Sequence, residues 1–154
     1  MIPVLMTVGI VLLDQATKQL IRGRLELHEA IPVITGFFNI RLVTNTGAAW
    51  GMFQGAAFWL GIVSAAVLIA LTIFRRALIG EGKLNGMVFS LLAGGIAGNL
   101  IDRIRLGYVV DFLDFHVGTR HFPAFNVADI SICVGVALFM LSQFLMSRNK
   151  EPAR

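Results

Sequence analysis

Five aspartates stand at or beside long apolar runs in this sequence: Asp14, Asp102, Asp111, Asp114 and Asp129. A charged side chain at the centre of a lipid-embedded helix costs at least roughly 2.5–3.5 kcal/mol, less toward the ends, so each needs a chemical or structural reason. Two of them sit in contrasting settings. Asp129 heads the run ISICVGVALF and follows Asn126 by three residues. That is the form of a capping box with Asn at the N-cap and an acid at N3, where the helix dipole favours negative charge. Capping alone accounts for it. Asp111 lies between Val110 and Phe112 in a strand-like segment, and an apolar setting of that kind raises a carboxyl pKa by desolvation. Two carboxyl groups pushed in opposite directions are what general acid and base chemistry requires. Held close enough to share a proton, they can activate a water molecule and protonate a leaving amine, with no metal and no covalent intermediate.

The other polar groups have simpler readings. Asp14 and Lys18 are four apart on a helix, so they can form an ion pair that shields both from lipid. Asn99, Asp102 and Arg103 fall at i, i+3 and i+4 and share a face, either as a polar cluster at the interface or as part of a site. His28, His116 and His121 lack the spacing of a metal motif, so no metal or other cofactor is expected. Ser64, Ser90, Ser131, Ser142 and Ser147 lack a partner base. Cys133 stands alone within the last apolar run; it excludes a disulfide within the chain and reads as a small buried apolar residue. Gly94 and Gly98 have GxxxG spacing, which reads as close helix packing. A phosphate-cradling loop would need a Lys-Ser/Thr ending that the run does not have.

The elements that must position these groups are membrane spans. The chain has 154 residues, 56% hydrophobic and 14% charged, with a mean hydropathy of +0.79, far from a soluble domain. Gly55 to Phe74, Leu84 to Ile101 and Ile130 to Ser147 carry no charge, each near the roughly 20 residues that cross a bilayer. A fourth span continues the N-terminal run through Asp14 and Lys18 to Ile21. It is expected to stay attached, since no basic residue precedes it and no small-x-small site follows. We therefore read one domain, residues 1–154, with spans at 2–21, 55–74, 84–101 and 127–147. The extracytoplasmic loops are then 22–54 and 102–126.

Four spans place both termini on one side with the loop RRALIGEGK. Six basic residues there oppose seven on the other side, so the count does not orient the chain. Their packing into two short segments favours cytoplasmic termini. The formal charge of +4 and pI near 10.0 do not imply nucleic acid, because the basic residues flank the spans and face anionic lipid headgroups instead. In the loops, Phe38, Ile40 and Leu42 alternate with Asn39 and Arg41, a half-buried strand ending at Asn-Thr-Gly. YVVDFLDF at 108–115 is a second strand-like piece. Together they predict a small sheet at the membrane surface.

Five blocks in order resemble the lipoprotein signal peptidases, or signal peptidase II: DQATK at 14–18, NTGAAWG at 45–51, GGIAGNLIDR at 94–103, VVDFLDF at 109–115 and FNVADISI at 125–132. The resemblance covers nearly the whole chain. It implies a mainly α membrane protein with four transmembrane helices and a small extracytoplasmic β-rich cradle. The implied activity is that of a bacterial inner-membrane aspartic endopeptidase. Such an enzyme removes the signal peptide from prolipoproteins, cutting before a cysteine that already carries diacylglyceryl. On that basis Asp111 and Asp129 are the catalytic dyad, with Asn45, Asn99, Arg103 and Asn126 in the binding cleft. Asp14, Lys18 and Asp102 have supporting polar roles. The implied partners are lipid-modified precursors and membrane lipids, and the implied state is a monomer. Trp50 departs from the usual Phe of its block. Read without the resemblance, the same aspartates also fit a proton-coupled transporter or channel, or a structural scaffold whose polar groups bind neighbouring helices.

Overall fold

A computed structural model describes residues 2–148. Helix α1 is Ile2–Arg22, α2 is Ala57–Ile73, the short α3 is Arg75–Leu78, α4 is Lys83–Leu106 and α5 is Val127–Arg148. Four strands fill the connections: β1 Ala30–Ile34, β2 Phe38–Asn45, β3 Val109–Val117 and β4 Arg120–His121. They form one antiparallel sheet in the order β1-β2-β3-β4. The fold is thus mainly helical, with a small sheet. Ile2–Arg22, Lys83–Leu106 and Val127–Leu145 are long and apolar enough to cross a membrane. Helix α2, apolar over 17 residues, reaches roughly 26 Å at 1.5 Å per residue.

The helices are turned inside out relative to a soluble bundle. The residues of α1 that are buried are Asp14 and Lys18, while Leu5, Leu12 and Leu13 are exposed. Apolar side chains lose nothing by facing lipid, whereas an unpaired charge there loses its solvation, so the polar groups turn toward the neighbouring helices. Cys133 follows the same rule and corrects the expectation of a buried residue. It is exposed on the flank of α5 that also presents Val134, Val136 and Met140.

Helix α4 is the hub, packed on α1, α2 and α5. Its small residues let the neighbours come close. A Cβ at Gly98 would lie 2.5 Å from Asp14 Oδ2 on α1. One at Gly95 would run into the Ala128 carbonyl oxygen of α5 and sit 2.7 Å from Ile132 Cγ1. The GxxxG spacing is therefore helix packing, and Gly95 adds a second contact line toward α5. Gly95→Ala is expected to cost roughly 1–3 kcal/mol by overpacking, read as a fall in thermal unfolding midpoint in detergent. Gly9→Ala, with nothing near its Cβ, is the control and should not destabilise.

Helix α4 continues five residues beyond Ile101, to Leu106, and stops at Gly107, whose φ of 77° is left-handed. Asp102 and Arg103 are therefore carried on the helix, on the face shared with Asn99, and the loop that follows is short. This brings β3 directly off the end of α4. Val110 at its start is fully buried and packs with Leu25 and Leu42, which seats the sheet on the helix ends. The strand expected from period-2 patterning is β2 and the second strand-like piece is β3, paired with Val43 opposite Asp111 and Asn45 opposite Val109. Strands β1 and β4 were not visible in that pattern. Every residue of β1 is exposed, so it carries no inside-outside alternation, and β4 is two residues long.

Candidate active site

Asn126 precedes α5 and organises the acids. Its backbone N–H donates to Asp129 Oδ2 at 3.1 Å, and the Asp129 N–H donates back to Asn126 Oδ1 at 2.9 Å. This is the capping box expected from the sequence, closed in both directions. Because Oδ1 is committed to the helix, the Asn126 amide NH₂ must point away from it. There it donates to Asp111 Oδ1 at 2.7 Å, to the Val110 carbonyl at 3.2 Å and to Asn99 Oδ1 at 3.1 Å. One fully buried residue thus grips both carboxyl groups, from the sheet and from the helix.

Each acid has a second amide. Asn45 Nδ2 donates to Asp111 Oδ2 at 3.1 Å, and the Gly47 N–H donates to Asn45 Oδ1 at 3.0 Å, which fixes the amide's orientation. Gly47 has to be glycine there, since a Cβ would collide with the Met52 carbonyl oxygen. Asn99 Nδ2 donates to Asp129 Oδ1 at 2.7 Å. Asp111 is 3% exposed, and its pKa is pushed up to about 7. Burial is the main cause, the Asp129 charge adds to it, and Asn45, Asn126 and Lys18 pull it partway back. A carboxyl that keeps its proton to neutral pH therefore lies within electrostatic reach of a second, hydrogen-bonded one.

Behind the acids lies a second cluster. Lys18 Nζ sits 2.9 Å from Asp14 Oδ2 and 2.9 Å from Asp102 Oδ2, and donates to Asn99 Oδ1, also at 2.9 Å. Asp14 Oδ1 accepts the Ala128 N–H at 2.9 Å, tying α1 to the first turn of α5. Asp102 Oδ2 accepts the Val110 N–H at 3.1 Å, tying α4 to β3. The expected pair of Asp14 and Lys18 is thus one edge of a larger network. Gln15 was not singled out from sequence, although it lies inside the DQATK block. It donates to Asp102 Oδ1 at 2.9 Å and to the Gly98 carbonyl at 3.2 Å.

Arg103 is close to the acids without bonding to them. Its Nη2 donates to the Gly47 carbonyl at 3.3 Å, its Nε has no partner among the described residues, and its charge acts on Asp129, Asp111 and Asp102. It holds the turn after β2 against α4. Asp114 stands apart from the pair. Burial opposes its ionisation, but hydrogen bonds from His121 and Asn39 outweigh that and hold its carboxyl below the usual range. Among the described residues no cluster of metal-binding side chains occurs. A cavity of about 560 Å³, bordered by Arg75, Arg76 and Gly82, lies at the opposite end of α4 from the acids.

Known proteins are similar to this chain in sequence and architecture. A protein described as lipoprotein signal peptidase from Desulforapulum autotrophicum is 45% identical over 137 residues, covering 85% of this chain and 84% of the relative. One of the same description from Geobacter sulfurreducens is 43% identical, covering 94% and 92%. A bacterial membrane enzyme solved by the in meso method at 2.3 Å resolution superposes with a TM-score of 0.88 at 35% identity, covering 99% of this chain and 93% of its own. Residues 6–145 match the family described as Signal peptidase (SPase) II, and this chain belongs to that family.

Proposed function

We propose that this protein is an aspartic endopeptidase of the bacterial inner membrane that removes the signal peptide from diacylglyceryl-modified prolipoproteins, cutting before the lipidated cysteine. The observation that carries the chemistry is Asn126 holding Asp111 and Asp129 together, with burial pushing the Asp111 pKa up to about 7. Asp129, at a helix N-terminus and accepting two N–H bonds, serves as the base. It takes a proton from water as the oxygen attacks the scissile carbonyl carbon, and Asp111 gives its proton to the carbonyl oxygen. Collapse of the resulting diol returns a proton to Asp111, while Asp129 passes its own to the departing amine. The peptide bond breaks and the pair is restored.

Asn45, Asn99 and Asn126 were expected to bind substrate, yet their amides are spent on the acids and on one another. We assign them to holding the dyad, and Arg103 to bracing the cleft wall at Gly47. Asp14, Lys18 and Asp102 support the dyad from behind. In this reading α2 is the fourth span and both termini are cytoplasmic. The sheet then lies at the extracytoplasmic surface, where a membrane-anchored cysteine presents its peptide bond at the depth of the acids. Anchoring of the lipid chains along the helices confines the substrate and orients it.

The test is a purified enzyme given one precursor in two forms, with and without the diacylglyceryl group. Release of signal peptide from the lipidated form alone is expected; equal cleavage of both forms, or of neither, would sink the proposal. The pH dependence of kcat/KM should be bell-shaped. Its alkaline limb falls near 7, where Asp111 loses the proton it must donate, and its acid limb falls where the pair gains a second proton. A profile flat from about pH 5 to about pH 9 contradicts a shared-proton pair.

A further inference from the structure

Lysine is a donor only: its ammonium carries three N–H groups and accepts nothing. In this protein all three have acceptors, Asp14 Oδ2, Asp102 Oδ2 and Asn99 Oδ1, each at 2.9 Å. Lys18 is 2% exposed, so its ammonium depends on these protein acceptors. A carboxamide can rotate by half a turn to exchange its oxygen and its NH₂ at almost no steric cost, and nothing in the shape of Asn99 chooses between the two. Facing Lys18, however, the amide can present only its oxygen. The Asn126 NH₂ at 3.1 Å from the same oxygen makes the same demand. The Asn99 NH₂ is then forced toward Asp129 Oδ1, at 2.7 Å.

We propose that Lys18 is a positioning residue for the cleavage reaction: together with the Asn126 NH₂ it fixes the Asn99 amide so that a donor always faces Asp129, and it polarises that donor with its own charge. The path is Lys18 to Asn99 to Asp129, two hydrogen bonds linking α1, α4 and α5. Bonds in such a chain strengthen one another in a low-dielectric interior. Asp111 has no corresponding link, because its amides from Asn45 and Asn126 are oriented by backbone N–H groups rather than by a cation. The two acids therefore differ in what stands behind them: an amide anchored by a cation behind Asp129, and amides anchored by backbone N–H groups behind Asp111. This rests on the dyad reading above and adds the device that makes the pair asymmetric.

Removing Lys18 alone would leave two buried carboxylates without a cation, so the test removes the Asp14 charge along with it. Wild type holds two carboxylates and one ammonium; Asp14→Asn with Lys18→Met holds one carboxylate, the same net charge. Against the Asp14→Asn control, adding Lys18→Met is expected to lower kcat about tenfold or more, since acid–base groups contribute roughly 10²–10⁴-fold, while KM stays within about twofold. Adding Asn99→Leu to the control should give a comparable loss. The two together should give little further loss, because the lysine's positioning effect on Asp129 runs through the amide. Independent, multiplying losses would overturn the proposal, as would a lower unfolding midpoint with kcat unchanged. Should the combined variant not fold, Lys18→Gln in the control background decides. Its amide can still donate to Asn99 and should keep more kcat than Lys18→Met, and equal losses overturn the proposal. Normal turnover by Asp129→Asn would sink the dyad itself, whereas full kcat without Lys18 beside an inactive Asp129→Asn sinks this inference alone.

Discussion

Asp111→Asn and Asp129→Asn are each expected to insert and fold while cleaving at least roughly 10³-fold more slowly, the scale on which general acid and base groups act. The amide keeps the shape of the acid and loses its proton chemistry. The two variants should differ in stability. Asp111 is buried and repelled by Asp129; Asp111→Asn removes that repulsion but sets its new NH₂ against the Asn45 or Asn126 donor, so it should unfold close to wild type. Asp129→Asn can keep the bond from the Asn126 N–H, but its new NH₂ then faces the Asn99 NH₂. A small fall in unfolding midpoint is expected. Loss of function with retained or raised stability is the signature of a site selected for chemistry. Signal-peptide release by each purified variant, measured beside thermal unfolding, checks both statements, and wild-type turnover in either would remove the pair from the reaction.

Lys18→Met by itself should be the most destabilising single change of those considered, costing roughly 3–5 kcal/mol as expected for removing one partner of a buried ion pair. Asp14 and Asp102 are 0% and 2% exposed. Without the ammonium they face each other across the α1–α4 contact with Gln15 as their shared donor. Restoring the balance with Asp14→Asn should recover a large part of the loss, although it removes a second native group. That recovery separates charge compensation from simple packing, in which a second substitution would only add damage. Unfolding in detergent of the single and double variants measures it. A Lys18→Met protein as stable as wild type would mean the cluster is not held by charge.

Both predictions depend on groups whose types could be read in the chain but whose meetings could not. The apolar spans, the capping box from Asn126 to Asp129, the pairing of Asp14 with Lys18, and the strands around Asn39 and Asp111 are visible in the sequence for one reason. Each is set within one or two turns of helix or a few residues of strand, where backbone geometry alone decides which side chains are neighbours. The resemblance to signal peptidase II then named the acids. Outside that range the reading failed or stopped short. Cys133 faces outward because helix rotation is set by the small-residue seams of α4 and not by the hydropathy of α5. Gln15 gave no signal of its own because a glutamine beside an aspartate is unremarkable until another helix is present.

The solvent this protein lives in and the candidate acids follow from composition and order, since burial of apolar surface and the cost of charge in lipid are properties of both. That Asn126 holds Asp111 and Asp129 together and that Lys18 reaches Asn99, 81 residues away, depends on how the helices and sheet pack. Those contacts exist because Gly95 and Gly98 let three helices approach until their polar groups meet, and no local rule contains the distance between helices.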